Sequence, residues 1–125
     1  MLTVNKTLYH LYPFDSHYLD INGNSMHYID EGDGEIILML HGNPTWSFYY
    51  RNLILKLRDK FRCIAPDHIG CGLSSKPQLY PYHLRTHIAN LKQLIIKLNI
   101  KHFILLCMIG VVLLQWAWQK TCRIG

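Results

Sequence analysis

Two short segments hold the residues with chemical prospects: residues 38–53, LMLHGNPTWSFYYRNL, and residues 66–77, PDHIGCGLSSKP. In the first, an apolar run ends in His41-Gly42-Asn43-Pro44. A strand ending there sets a backbone N–H and the Asn43 amide together at its carboxyl end, where open α/β sheets hold their ligands. Converging N–H donors at such a place make an oxyanion hole or an anion pocket. In the second segment, Asp67, Gly70 and Gly72 punctuate a loop that follows another short apolar run. The order is strand, tight turn, helix, strand, glycine loop.

Elements upstream and downstream must hold these two loops. Residues 17–21 and 26–31 alternate as half-buried strands do, and Asn22, Gly23 and Asn24 between them tolerate positive φ, which predicts an antiparallel hairpin. Residues 31–34 supply a charged, glycine-bearing turn, and the continuous apolar run 36–40 has the character of a central parallel strand buried on both faces. From about Ser47, the residues Phe48, Tyr49, Leu53, Ile54 and Leu57 recur at helical spacing, with Arg51, Lys56 and Arg58 for the wet face and Pro44 harmlessly ahead. Residues 61–65 form a short strand. Leu84, Ile88, Leu91, Leu94, Ile95 and Leu98 then make a second amphipathic helix that stops at Asn99, and the next strand begins within 101–106.

Composition narrows the field. With 125 residues, half of them hydrophobic, one domain with a core is expected and disorder by composition is excluded. The net charge of +5 is spread thinly over Lys56, Arg58, Lys60, Arg62, Lys92, Lys97, Lys101 and the tail, without a basic block or stacking motif, so nucleic acid is not an expected partner. Cys63, Cys71, Cys107 and Cys122 show no CxxC spacing, the eight histidines read as scattered imidazoles, and no metal site is assigned. Cys63 fits an apolar strand as a small core residue. The amino terminus lacks the long apolar segment of a signal peptide, which makes the cytoplasm the expected compartment.

The two segments together resemble the α/β-hydrolase superfamily and, within it, the haloalkane dehalogenases and their near relatives. Asn43 after the glycine, followed by Pro44, Thr45 and Trp46, carries the narrower resemblance; epoxide hydrolases more often show an aromatic residue at that place. The likeness runs from about Tyr12 to Leu106. It implies an α/β chain with an incomplete α/β-hydrolase fold: an N-terminal hairpin and a mostly parallel sheet with flanking helices. Residues 1–106 would be the N-terminal part of the core domain, residues 107–125 a divergent apolar tail, and the cap domain would be absent.

Dehalogenases similar to this sequence use an aspartate on a nucleophile elbow to displace halide as an alkyl ester, which a histidine-activated water then hydrolyses. The resemblance implies that Asn43 is the donor to the departing halide or oxyanion. It gives His41, Gly42, Pro44, Trp46, Asp67, Gly70 and Gly72 parts in building the motif loops, with Asp67 ordering its loop rather than acting as an acid. No residue present is assigned a catalytic role, and no cofactor is implied. The substrate of the intact family is a small organic molecule, halogenated in the leading reading; a relative acting on β-lactones, esters or epoxides is the alternative.

Where the elbow should stand, this chain has CMIGVVLLQWAWQKTCRIG, without an acidic residue or a serine. The genetic code suggests why. Cys107 to Val112 can be written TGC ATG ATT GGG GTG GTN, and starting at the last base of the cysteine codon this reads His-Asp-Trp-Gly-Gly, the dehalogenase elbow. A frameshift before Cys107 is therefore the expected origin of the tail. A chain cut after its fifth strand leaves an unpaired central edge, so aggregation or chaperone binding is expected and turnover is not. A different class of reading takes residues 103–118, flanked by Lys101, His102, Lys120 and Arg123, as a membrane anchor, although the stretch is shorter than the ~20 residues a spanning helix needs.

Overall fold

A computed structural model describes residues 6–108. After a short helix α1 (Lys6–Tyr9) come strands β1 (His17–Ile21), β2 (Asn24–Glu31) and β3 (Glu35–Leu40), helix α2 (Arg51–Leu57), strand β4 (Phe61–Pro66), helix α3 (Leu84–Lys97) and strand β5 (Ile104–Cys107). The strands make one mixed sheet in the order β1-β2-β4-β3-β5. The first two neighbouring pairs in that order are antiparallel, while β3 is parallel to both β4 and β5. This is the partial α/β-hydrolase sheet that the resemblance implied, with its hairpin at one edge.

The hairpin closes through Asn22 at φ 51° and Gly23 at φ 85°, with Ile21 paired to Asn24. Two consecutive positive φ values give the turn a twist that matches the strands. Because Asn24 and Ser25 continue the ladder opposite Ile21 and Asp20, β2 starts two residues before the alternating pattern alone suggests.

Alternate residues of β3 feed two cores. Leu38 and Leu40 join Ile64, Leu91 and Leu94 beneath α3, whereas Ile37 and Met39 join Ile54, Cys63 and Ala65 beneath α2. Burial on both faces explains the unbroken apolar run. The helix expected from Ser47 begins instead as a 3-10 turn, Ser47–Tyr50, and only then becomes α2. The tighter winding turns Tyr50 inward, 4% exposed with its hydroxyl donating to the Leu40 carbonyl at 2.7 Å, and leaves Tyr49 57% exposed. Tyr49 is thus not on the core stripe that its spacing suggested.

Helix α3 buries Ile88, Leu91, Leu94 and Ile95 and ends at a left-handed Asn99, φ 52°. The Asn99 N–H donates to Ile96 and the Ile100 N–H to Ile95, a Schellman closure in which buried Ile100 supplies the apolar contact. This close delivers the chain to β5, whose Leu38–Leu105 and Leu40–Cys107 pairings set it beside the central strand. Of the divergent tail expected over 107–125, only Cys107 and Met108 fall among the described residues, as does only the first part of the 103–118 anchor. No helix of the described residues is long and apolar enough to cross a membrane.

Candidate functional site

Parallel pairing of Leu38 with Ile64 makes β3 and β4 end side by side, so the loops that leave them emerge together. His41 ties one loop to the other. Its ring lies 1% exposed, with Nδ1 2.8 Å from the Gly42 carbonyl oxygen and Nε2 3.0 Å from the His68 N–H. A carbonyl only accepts, so Nδ1 carries the proton and the lone pair of Nε2 is taken by His68. Burial holds the imidazole below its ordinary range, against the opposing pull of Gly42 and Asp67. Neutral and with both nitrogens engaged, His41 has no free lone pair with which to act as a base.

Asp67, fully buried, is the second tie. Its Oδ1 accepts the Ser47 N–H at 2.7 Å, and its Oδ2 accepts the Leu73 N–H at 3.0 Å and His27 Nδ1 at 2.9 Å. Burial pushes the carboxyl up, but the His27 bond and charge and the two backbone donors outweigh it and leave the acid below its usual range. One carboxylate therefore pins the start of the 3-10 turn, its own loop and strand β2. Gly72, at φ 53°, sits where a Cβ would fall against Asp67 Oδ2 and the Cβ of Trp46. Only glycine lets the loop fold back so closely.

Around these ties lies a cavity of about 450 Å³, walled by the 41–43 turn, the 68–71 loop and the start of α3. Asn43 is exposed on its rim, joined to exposed Pro44 by a cis peptide bond, and Gly42 is buried behind it. Thr45 braces the turn, donating from its N–H at 3.0 Å and its hydroxyl at 2.8 Å to the Gly42 carbonyl. Gly70, at φ 96°, lies on the opposite wall, with a ring carbon of Tyr82 close to where its Cβ would stand. Trp46 does not line the cavity; its ring stacks on Phe48 and tilts against Tyr12. The expected site residues thus divide into Asn43 at the opening, a cavity wall that includes His41, Gly42 and Gly70, and Pro44, Trp46, Asp67 and Gly72 outside it.

Several contributors carry no signal in the linear sequence. His27 lies on β2, forty positions from Asp67, and reaches it because Tyr28 pairs with Pro66. Buried Tyr12 shares a 2.5 Å hydrogen bond with Ser47 Oγ, steadying the residue whose N–H holds Asp67. His68 and His87 add two further imidazoles to the cavity wall, with His68 4.4 Å from His41 between ring centres and 5.3 Å from His87. His68 Nε2 and His87 Nδ1 are buried with no hydrogen-bond partner among the described residues. Burial, then the neighbouring His41 and His87, pushes His68 down to about 3. His83 and His87 do stand at helical i, i+4 spacing, a pairing that a reading of scattered histidines passes over, yet no group of three metal-ligating side chains comes together among the described residues.

Comparison with known proteins bears on this geometry. A sequence profile described as alpha/beta hydrolase fold matches residues 35–107. A cis-3-alkyl-4-alkyloxetan-2-one decarboxylase of Shewanella oneidensis is 55% identical over 98 residues, covering 77% of this chain and 31% of that protein. Haloalkane dehalogenase 2 of Mycobacterium tuberculosis is 53% identical over 77 residues, covering 62% of this chain and 27% of that protein. Among solved structures, a haloalkane dehalogenase loop variant from Bradyrhizobium elkanii superposes with a TM-score of 0.77 at 33% identity, over 84% of this chain and 35% of that one. The chain spans about a third of the length of the curated relatives it matches.

Proposed function

Because this chain belongs to the α/β-hydrolase fold family, we propose that its two loops form the anion-stabilising half of a haloalkane-dehalogenase-like site, with Asn43 as donor to the departing halide. The observation that carries this reading is the placement of Asn43, exposed on a cavity rim at the carboxyl end of the central strand. Fixed donors at such a point stabilise charge as it develops.

The nucleophile would stand next door. Strand β5 pairs Cys107 with Leu40, and Met108 follows it beside the turn, its sulfur 3.7 Å from the Thr45 hydroxyl. In the shifted reading frame, the aspartate of His-Asp-Trp-Gly-Gly comes directly after this point. Its carboxylate would attack the carbon bearing halogen, forming an alkyl ester as the carbon–halogen bond breaks and halide leaves toward Asn43. Hydrolysis of that ester needs a histidine base, and His41 is excluded by its two hydrogen bonds.

In the frame given, the chain does not carry out this reaction. Asp67 is buried with its oxygens already serving three donors, and the cavity wall carries no carboxylate among the described residues. Cys71 on that wall has its thiol raised by burial, which keeps it protonated and a weak nucleophile. With the apolar side chains of β5 half exposed, the chain is prone to aggregate or to ride on chaperones.

One observation favours a second substrate class, the 55% identity over 98 residues to a decarboxylase of oxetan-2-ones. A β-lactone opens by attack of the same elbow aspartate, and Asn43 would then face a carboxylate instead of a halide.

The deciding experiment is to read the gene across codons 106–112 and restore the frame there. The restored protein is expected to release bromide from 1-bromobutane or carbon dioxide from a dialkyl β-lactone, while the chain in its given frame does neither. Codons that cannot spell CATGATTGGGGTGGT in the shifted frame, or turnover of either substrate by the given chain, would overturn this reading.

A further inference from the structure

Ser16, His27 and Asp67 form a continuous relay that none of the cavity chemistry uses. Ser16 Oγ lies 3.0 Å from His27 Nε2, and His27 Nδ1 lies 2.9 Å from Asp67 Oδ2. We propose that Ser16 is a nucleophilic serine, with His27 as its base and Asp67 as the positioning residue, able to take an acyl group from small activated esters.

Sheet register brings the three together. Tyr18 pairs with His27 across the hairpin, and Tyr28 pairs with Pro66, so Ser16 just ahead of β1 and Asp67 just past β4 flank the same imidazole. The main chain is locked on both sides. His27 N–H donates to Ser74 Oγ at 2.8 Å, Ser74 Oγ–H donates to the Asp67 carbonyl at 2.6 Å, and Asp67 N–H donates to the His27 carbonyl at 2.8 Å. Such a closed ring fixes the imidazole in place, which a base needs more than it needs reach.

Proton positions follow from the partners. An ionised carboxylate accepts only, so Nδ1–H points at Asp67; in the neutral imidazole the lone pair of Nε2 then faces Ser16, whose hydroxyl donates. The Asp67 carboxyl is held below its usual range, which keeps it ionised to accept the Nδ1–H hydrogen bond. This is the connectivity by which a serine is activated on several unrelated folds, recognised by geometry and roles rather than by order in the chain. Burial separates the roles: His27 and Asp67 are fully shielded while Ser16 is exposed. Asp67 holds the Ser47 and Leu73 amides without any need of Ser16, so the hydroxyl is not required to brace the loops.

In the reaction, Ser16 Oγ attacks the ester carbonyl carbon as its proton passes to His27 Nε2. The bond to the leaving phenolate then breaks and the phenolate takes that proton, giving acyl-Ser16 and free phenol. Water activated by the same imidazole can afterwards release the carboxylic acid and regenerate the hydroxyl. A base and its orienter are all that a donor with a good leaving group demands.

The test uses the full 125-residue chain with p-nitrophenyl acetate, following p-nitrophenol release and mapping the acetyl group by peptide mass spectrometry. Acetylation concentrated on Ser16, reduced about a hundredfold in rate by Ser16→Ala, is the expected result. Because Ser16 is exposed, that variant keeps its near-ultraviolet circular dichroism. His27→Gln should abolish the reaction, and if it fails to fold, the Ser16→Ala rate and the peptide map decide. Label spread over Cys71, Ser25 and Ser75, or an unchanged rate in Ser16→Ala, overturns the proposal.

Discussion

Gly72 and Asp67 stand so close that a β-carbon on the glycine would meet the carboxylate oxygen that holds His27 and the Leu73 amide. Gly72→Ala therefore strains a left-handed backbone, φ 53°, and displaces a buried acceptor at once. The expected loss of stability is about 3 kcal/mol, combining the left-handed penalty with weakened hydrogen bonds. Urea unfolding followed by tryptophan emission measures it, and a loss below 1 kcal/mol, on the order of one ordinary hydrogen bond, would mean that the loop relaxes freely.

Asp67→Asn keeps the shape and removes the charge. An amide has one acceptor oxygen and must turn its NH2 toward a donor, either Ser47 N–H or the His27 and Leu73 pair. The predicted cost is about 3–5 kcal/mol, typical of breaking a buried pair on one side. The folded carboxyl lies below the unfolded value of 3.8, so its contribution is complete above that pH and lost as pH falls through the folded value. The variant should accordingly show a shallower fall in stability below pH 3.8 than the parent chain.

A separate acid sensitivity begins higher. His41, His68 and His87 all lie below 6.5 in the folded chain, with burial the leading cause, and His68 lies near 3. Below 6.5 the unfolded chain gains protons that the folded chain refuses, so stability falls with pH until the folded values are reached. Denaturation midpoints should drop between pH 7 and pH 5, on the order of a kcal/mol or more in total. His68→Leu is predicted to flatten that drop, while an unaltered slope would place the sensitivity elsewhere.

Asn43 separates stability from chemistry. Its side chain is exposed, so Asn43→Ala should change the unfolding free energy by no more than about 0.5 kcal/mol. In a frame-restored enzyme the same change is expected to reduce turnover about 10²–10³-fold, the usual effect of losing one preorganised donor. Equal turnover in both forms would remove Asn43 from the site.

Local rules made most of the scaffold legible. The Asn22-Gly23 pair announces its turn by backbone freedom, the run at 36–40 announces burial on two faces, and Asn99 ends α3 where a left-handed residue is wanted. The two motif loops also lie side by side, as strands ending together require. Hidden from the sequence were contacts that depend on strand order. His27 meets Asp67 because β4 pairs with β2, and Tyr12 meets Ser47 across 35 positions, which no local spacing encodes. The 3-10 start of α2 was likewise invisible, since Tyr49 and Tyr50 are identical in type and only winding decides which one is buried.

Strand order also sets a timetable. β3 leaves the ribosome before either of its neighbours, β4 and β5, has been made. At roughly 5–20 residues per second, the wait from Leu40 to Cys107 lasts several seconds. Throughout it, a strand buried on both faces has at least one bare flank, first both and then the one that β5 will cover. Nascent-chain survival therefore depends on how quickly translation passes α3, and slow codons between Leu84 and Lys97 would lower the yield of folded protein without altering a single residue.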